Sequence, residues 1–488
     1  MNRVARVRGN MDQAHASDRS KALGAYLSTL PPKVAAQLLT LLERHKAAGG
    51  PTDFPLPKLI EIMREAGLVQ VAATRGAERV WSIQRLFFDP YEGLIDVPRE
   101  GEPYLPHSLP RDVLDPIWAW IVEEVAPDEI AALGPDVQAA LIAGDLERAR
   151  ERFQPVKRAI ASRIALALET DLKRPAAKRL GTPMAVSAAQ VLRRLVAADA
   201  ILADPAAILP PPLANDLNSA QVTALVHAHR DLSDVNSDAA DGLLLWSMAR
   251  LSKPWLLFRV VRVLAPRADE DVLASTELGM LFDRFFAECE RLQKRFETAL
   301  KRGTFVGSEL VSDVERFTAL TTGLRREGML ERNRSWDKRL RSMLLVSGDA
   351  LGAVAKRALG VIEATLPLEK VRNARKLPAQ HPRLAPPLDP RRVEIAIAHL
   401  TLLSGTRFTA SAAAFGADRD NAFRACADAI EKRRDGFLDQ LQDKMFVPEV
   451  TEAWAGTLID ASDALEGYEA ATVFRRRVAA LEPRALAA

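Results

Sequence analysis

One run of apolar residues constrains the fold of this chain more than any other. Its members recur at alternating spacings of four and three: Leu278, Phe282, Phe285, Cys289, Leu292, Phe296 and Ala299. This period places all of them on one face of an α-helix, which we call the seam, and leaves charged residues on the other faces. Burying each large member stabilises a fold by about 1.5–3 kcal/mol, so the helix is expected to pack against neighbours. A seam of this length suits a helical bundle better than a long coiled coil.

The composition also favours helices. Of the 488 residues, 48% are apolar and 27% are charged, and alanine, leucine and arginine, all good helix formers, are frequent. A chain of this length exceeds one hydrophobic core, because domains usually hold about 100–200 residues. We therefore predict a mainly α protein built of several helical bundles, with one small β-hairpin near the N-terminus.

Prolines set the predicted domain boundaries, because proline disfavours both helix interiors and central strands. Three segments are dense in proline: 98–116, 204–213 and 377–390. The predicted parts are a flexible N-terminal tail (1–19), a helical subdomain with the hairpin (20–97), a Pro-rich connector (98–116), a helical region (117–203), a central bundle with the seam (214–376), a Pro-rich linker (377–390) and a C-terminal helical domain (391–488).

The predicted hairpin follows a short helix, and its strands span 68–73 and 78–83. Four basic residues lie on this helix and at the hairpin: Lys58, Arg64, Arg75 and Arg79. The order of helix and hairpin resembles a winged helix-turn-helix domain. That resemblance implies a helix in the major groove of duplex DNA and hairpin arginines on backbone phosphates.

Two features depart from the winged-helix pattern. The loop at 49–56 is longer than the tight turn of about 3–4 residues that joins the family's last two helices. Glutamates also dilute the positive face, at Glu61, Glu65 and Glu78. The alternatives to DNA binding are therefore a winged helix that contacts only proteins, or no winged helix.

An aromatic cluster follows the hairpin, in a chain whose overall aromatic fraction is 6%: Trp81, Phe87, Phe88 and Tyr91. Aromatic side chains offer large contact areas, so these four are candidate partner-binding residues. The favoured alternative is that Leu86, Phe87 and Phe88 belong to the core and anchor the hairpin to the next domain.

A basic run over residues 325–341 forms a second candidate surface. Seven basic residues there outnumber three acidic ones, and the candidate partner-binding residues are Arg332, Arg334, Trp336 and Arg339. Such a run could contact phosphate or an acidic partner. A solvated helix face is the alternative.

No assembled catalytic motif is found in the sequence. It lacks a Gly-rich phosphate loop with lysine and a nucleophile elbow. His227 and His229 lie two residues apart on a predicted helix and therefore face apart, although His227 and Asp231 could share a metal ion. Cys289 and Cys426 fit no metal-ligand spacing. We predict no cofactor, metal or catalytic residue, and an enzyme built around His227 and Asp231 is the last of three hypotheses.

The remaining sequence features address location and partners. The net charge of +3 is too small for a dedicated polyanion-binding protein. The most hydrophobic run, 243–265, contains arginines that each cost at least about 2.5 kcal/mol in a bilayer, so no membrane span is expected. The start of the sequence lacks the apolar segment of a secretory signal, and two isolated cysteines suit a reducing cytoplasm.

The favoured hypothesis is a cytoplasmic helical scaffold or regulatory protein that acts through protein–protein interaction. Many amphipathic helices, the seam and the lack of assembled chemistry support it. A DNA-binding regulator that uses the segment 57–83 is the alternative. Protein partners are expected, duplex DNA is the alternative partner, and a second copy of the chain is a further partner that the sequence leaves open.

Overall fold

A computed structural model describes residues 81–171, 182–201, 208–209, 214–265, 269–328, 334–372, 378–383, 387–442 and 448–486. The chain divides into two units, Met1–Ser82 and Ile83–Ala488, and nearly all described residues belong to the second. The basic residues of the predicted winged helix, Lys58, Arg64, Arg75 and Arg79, lie outside the described residues, so DNA binding stays a prediction. The prediction of the second strand (78–83) is wrong at its last residue, because Ile83 begins a helix that buries Leu86, Phe87 and Phe88.

Short elements open the second unit. They are helix α1 (Ile83–Phe88), a 3-10 helix (Asp89–Leu94), strand β1 (Ile95–Asp96), strand β2 (Leu109–Pro110), a 3-10 helix (Arg111–Val113), helix α2 (Leu114–Trp120) and a π-helical turn (Ile121–Val125). The two strands pair in parallel, with Ile95 opposite Leu109. The predicted connector 98–116 therefore contains a strand and the start of a helix.

Five longer helices follow in the next part of the chain. They are α3 (Pro127–Ile142), α4 (Leu146–Asp171), α5 (Pro183–Ile201), α6 (Ser219–Val235) and α7 (Ser237–Arg250). Proline at the first helical position begins α3 and α5, where its missing N–H has no helical partner to lose. The Asn218 side chain caps α6 by accepting a hydrogen bond from the Gln221 backbone N–H. The Gln221 side chain in turn accepts a hydrogen bond from the Asn218 backbone N–H. These local signals fix where the helices start.

The seam lies on a long central helix. After a 3-10 turn (Pro254–Leu257), the elements are α8 (Phe258–Leu264), α9 (Glu270–Ala274), α10 (Gly279–Arg302), α11 (Gly307–Arg326) and α12 (Arg334–Thr365). All seven seam residues are buried, which confirms the predicted packing of α10. Its aromatic members contact neighbouring helices: the ring centroids of Phe282 and Trp336 lie 3.9 Å apart, and those of Phe296 and Phe317 lie 5.5 Å apart.

A small sheet and four helices complete the unit. Strand β3 (Leu368–Arg372) pairs antiparallel with strand β4 (Pro378–Pro382), and the helices are α13 (Pro390–Gly405), α14 (Gly416–Gln442), α15 (Pro448–Glu466) and α16 (Tyr468–Leu486). These helices share one hydrophobic core with the second half of α12, including Ile362, Leu400, Ile430 and Trp454. The mainly α prediction is confirmed.

Strand β4 lies in the stretch 377–390, which proline density had predicted to be a linker. Its two prolines occupy the first and last positions, where a strand can most easily lose an N–H donor. The strand also contacts α14, because the Gln440 side-chain amide donates to the Pro382 carbonyl over 3.0 Å. Proline therefore did not exclude a strand that is short and supported by a helix.

None of the described helices combines the length and the hydrophobicity that a membrane-spanning segment needs.

Candidate functional site

The aromatic residues predicted after the hairpin lie inside the protein. Phe87, Phe88 and Tyr91 are all buried. The Phe87 ring lies 5.5 Å from the Trp118 ring on α2 and 6.4 Å from the Phe153 ring on α4. Their packing fits the alternative that they belong to the core, whereas nearly all of the hairpin that they were expected to anchor lies outside the described residues. Trp81 is half-buried and belongs to the other unit.

In the described part of the predicted basic run, side chains of α12 pack against α10. The Trp336 ring is buried against Phe282, and the Arg339 guanidinium lies 4.6 Å from the Phe286 ring centroid. Arg339 is exposed but also pairs with Glu290 at 2.5 Å. Arg334 begins α12, and Arg332 lies outside the described residues. These contacts make Trp336 and Arg339 packing residues within the chain.

A different surface stands out, the loop between α13 and α14 at residues 406–415, which we call the Phe408 loop. It is a series of turns whose backbone hydrogen bonds close on the loop itself. The Ala410 and Ala413 N–H groups donate to Thr406 and Thr409 over 2.9 Å each, and the Phe415 N–H donates to the Ala410 carbonyl over 2.9 Å. These internal backbone bonds hold the loop in a defined series of turns.

The Phe408 loop also packs against α12. Thr406, Ala410, Ala413 and Phe415 are buried. A Cβ on Gly348 of α12 would lie 2.8 Å from the Ala414 carbonyl oxygen, so only glycine allows this approach. Ala414 itself has a φ of 65°, a left-handed conformation that side chains other than glycine seldom adopt. The surrounding contacts hold that strained residue in place.

The Phe408 side chain points away from this contact with α12. It is 88% exposed, more than that of any other large apolar residue in the described part of the chain. The Arg407 guanidinium lies 5.5 Å from the Phe408 ring centroid, and no described carboxylate pairs with it. On α12, Leu345 lies one turn before Gly348 and is 65% exposed. A rigid loop that presents an aromatic ring and a cation is suited to contact another molecule.

Little in the sequence indicates this site. A phenylalanine in an alanine-rich segment is indistinguishable by composition from a core residue, and the neighbouring Phe415 is indeed buried. Exposure is decided by the path of the loop across α12, which no local pattern specifies.

A buried polar network connects distant parts of the chain. Asp199 of α5 accepts a hydrogen bond from the Tyr91 hydroxyl and pairs with Lys157 of α4. The Lys157 ammonium also lies 4.8 Å from the Tyr91 ring centroid. Burial and the Asp199 charge raise the pKa of Tyr91 well above its ordinary value, so the phenol stays a donor. The three side chains satisfy one another's polar groups, so we interpret the network as structural.

A second ionic cluster fastens the segment 95–110 to α10 and α11. Arg295 donates two bonds to the Glu102 carboxylate, of 2.6 and 2.7 Å, and a third to Asp313 of 2.8 Å. Burial opposes ionisation of Glu102, but the hydrogen bonds from Arg295 and from the Arg99 backbone lower its pKa. Arg291 similarly binds Asp96. Bidentate arginine–carboxylate pairs are directional, so they fix the position of this segment.

Asp241 of α7 provides a pH-dependent contribution to stability. Burial raises its pKa to about 6, with Glu277 and Asp238 adding to the rise while Arg194 and Arg193 oppose it. The Arg194 Nε lies 3.4 Å from the Asp241 carboxylate. A raised folded-state pKa stabilises the protein below the unfolded value near 4, and this contribution is lost as the pH rises to about 6.

We expect Asp241→Asn to remove that loss, because asparagine is neutral at every pH. At about 1.4 kcal/mol for each pH unit between the two pKa values, the wild type should lose up to about 3 kcal/mol relative to the variant between pH 4 and pH 7. Denaturant unfolding of both proteins at the two pH values measures this difference. Parallel pH profiles would show that Asp241 ionises normally.

The candidate metal pair His227 and Asp231 lies one turn apart on α6. His229 is buried on α6, and burial lowers its pKa. Across the described residues, no group of three or more histidine, cysteine, aspartate or glutamate side chains could hold a metal ion.

The fold and these sites describe a mainly α protein with a rigid, exposed aromatic loop and no assembled metal centre in its described part. Comparison with protein-family models, with curated proteins and with solved structures finds no match. A function must therefore be argued from this chain alone.

Proposed function

We propose that this protein is a helical scaffold or regulatory protein that works by binding another protein, and that the Phe408 loop makes the contact. The observation that supports this most is the 88% exposure of Phe408 on a loop whose own backbone is held in place. A large aromatic side chain in water is unfavourable, and burying it in a partner recovers about 1.5–3 kcal/mol.

The conformation of the loop adds to this argument. Binding through a preordered loop does not have to fix a flexible segment first, so more of the contact energy appears as affinity. Interface hot spots are rich in aromatic residues and arginine, the two chemistries that Phe408 and Arg407 place side by side. We infer a partner with an apolar pocket for Phe408 and an acidic rim that faces Arg407.

The test is a photo-reactive residue in place of Ala412, which is exposed on the same loop. In cells, it should cross-link to one partner, and adding Phe408→Ser should reduce the yield by about tenfold or more, because removing a hot-spot residue weakens binding by about 2 kcal/mol, or about 30-fold. The matched control is Ile142→Ser, which changes another exposed apolar residue outside the loop.

Each outcome decides the proposal. Equal cross-linking with Phe408→Ser and with Ile142→Ser would contradict it, as would the absence of any adduct from position 412. An adduct of twice the chain mass would mean that the partner is a second copy and not another protein. Because Phe408 is almost fully exposed, unfolding temperatures of the variants should match the wild type, and this separates lost binding from lost folding.

A further inference from the structure

A cavity of about 190 Å³ lies among α7, the turn after it, α8, α10 and α11, and shares no residue with the Phe408 loop. Its apolar wall includes Leu251, Phe258, Leu281, Phe285 and Leu320. A protein cavity of about 150 Å³ with such a lining is large enough for benzene. The space therefore fits one aromatic ring or a short alkyl chain.

The polar side of this cavity carries an excess of positive charge. Arg284 and Arg316 line it together with a single carboxylate, that of Glu288. The Arg316 Nε donates to Glu288 over 2.7 Å, so this pair is internally neutralised. Arg284 has no direct ion-pair partner, although the charges of Glu288 and Asp96 act on it from a distance, and its residue is only 8% exposed.

Arg284 is poorly satisfied for a buried arginine. Its Nη1 donates to the Pro106 and His107 carbonyls over 3.3 and 3.4 Å, both long for hydrogen bonds of this type. A guanidinium offers five N–H donors, and no described carboxylate lies within ion-pair distance of it. Asp96, the nearby carboxylate on β1, is already bonded to Arg291 and to the Leu105 N–H.

Electrostatics favour an anion beside Arg284. Burial lowers the pKa of this arginine, yet its ordinary value is so high that the side chain stays charged. A buried charge without a partner is costly, and a carboxylate that accepts from it forms a strong, charge-assisted hydrogen bond. An inorganic anion would satisfy Arg284 but leave the apolar wall unused.

We propose that this cavity binds a small monocarboxylate with an apolar body, of the size of benzoate or hexanoate. The carboxylate accepts from Arg284, and the ring or chain packs against Phe285 and Leu320. This site is independent of the Phe408 loop, so either proposal can fail without the other.

The test uses calorimetric titration of the full chain with benzoate and hexanoate, with benzyl alcohol and inorganic phosphate as comparison ligands. Wild type should bind a carboxylate more tightly than the alcohol or phosphate. Arg284→Met should weaken carboxylate binding by about 10- to 100-fold, the loss expected for a hydrogen bond to a charged group, and leave binding of the alcohol unchanged. The control is Arg341→Met, an exposed arginine that does not line the cavity.

Folding is not expected to be lost in Arg284→Met, because Arg284 has no carboxylate partner that the change would leave as an unpaired buried charge. If it nevertheless fails to fold, Arg316→Met serves instead. That change leaves the Glu288 carboxylate unpaired beside the ligand, so carboxylate binding should fall by about tenfold.

Four results would overturn the proposal. They are no carboxylate binding to wild type at millimolar concentration, equal affinity for benzyl alcohol, equal affinity for phosphate, and unchanged carboxylate affinity in the folded arginine variants.

Discussion

Replacing Gly242 by alanine is expected to destabilise the protein by about 3 kcal/mol or more. Gly242 lies on α7 where this helix crosses α5, and a Cβ added there would lie 1.8 Å from the Arg194 carbonyl oxygen. The obstacle is backbone, which cannot move aside like a flexible side chain. The two helices would have to separate and would lose packing along their interface, and overpacking of this kind typically costs about 1–3 kcal/mol and sometimes more.

The measurement is denaturant unfolding of Gly242→Ala beside a matched substitution at Gly360. Gly360 lies within α12 and has no atom near the position of an added Cβ. Alanine there should stabilise the protein by about 0.5–1 kcal/mol, because glycine loses more freedom than alanine when a helix forms. Equal effects of the two substitutions would mean that α5 and α7 do not cross at this distance.

Replacing Asp199 by alanine is expected to destabilise the protein by about 3–5 kcal/mol. The change leaves the buried Lys157 ammonium without a counter-charge and the buried Tyr91 hydroxyl without an acceptor. Losing one member of a buried ion pair costs far more than the pair itself contributes, because the remaining charge stays out of water. Unfolding by denaturant or by heat measures the loss.

Two controls test this explanation. In the triple variant Tyr91→Phe, Lys157→Met and Asp199→Leu, every polar member of the network is replaced, so most of the lost stability should return. Glu290→Ala breaks the exposed pair with Arg339 and should cost less than about 1 kcal/mol. If the triple variant is no more stable than Asp199→Ala, lost packing and not the stranded charge accounts for the effect.

The two proposed binding sites separate two kinds of recognition. The Phe408 loop presents an apolar ring outward on a backbone that is already ordered. In the cavity between the helices, the Arg284 guanidinium lies inside the protein beside an apolar wall. Variants at Phe408 and Arg284 affect different measurements, a cross-link and a titration, so the experiments are independent.

Some features of the fold follow directly from local sequence. The seam predicted a packed helix over 278–299, and all its members are buried on α10. Helix starts at Pro183, Asn218 and Asp389 likewise follow from capping and proline rules. Such features depend on residues within one or two helical turns, so a sequence window contains the whole cause.

Other features were predicted incorrectly where a distant contact outweighed the local preference. Strand β4 forms in a Pro-rich segment because it pairs with β3 and is supported by Gln440 of α14. Ile83 begins a helix because that helix buries Leu86, Phe87 and Phe88. In both places the decisive partner lies outside the local pattern.

By itself, the sequence determined the mainly α class, the seam and many helix ends, because periodicity and capping act over a few residues. Only the tertiary structure decided that Phe408 is exposed while Phe415 is buried, and that Tyr91, Lys157 and Asp199 meet. It also decided that Arg284 faces a cavity whose one carboxylate, Glu288, pairs with Arg316. The reason is that burial, pairing and cavity formation depend on which distant helices pack together. The hydrophobic effect that drives this packing is non-directional, so no local sequence pattern specifies which helices meet.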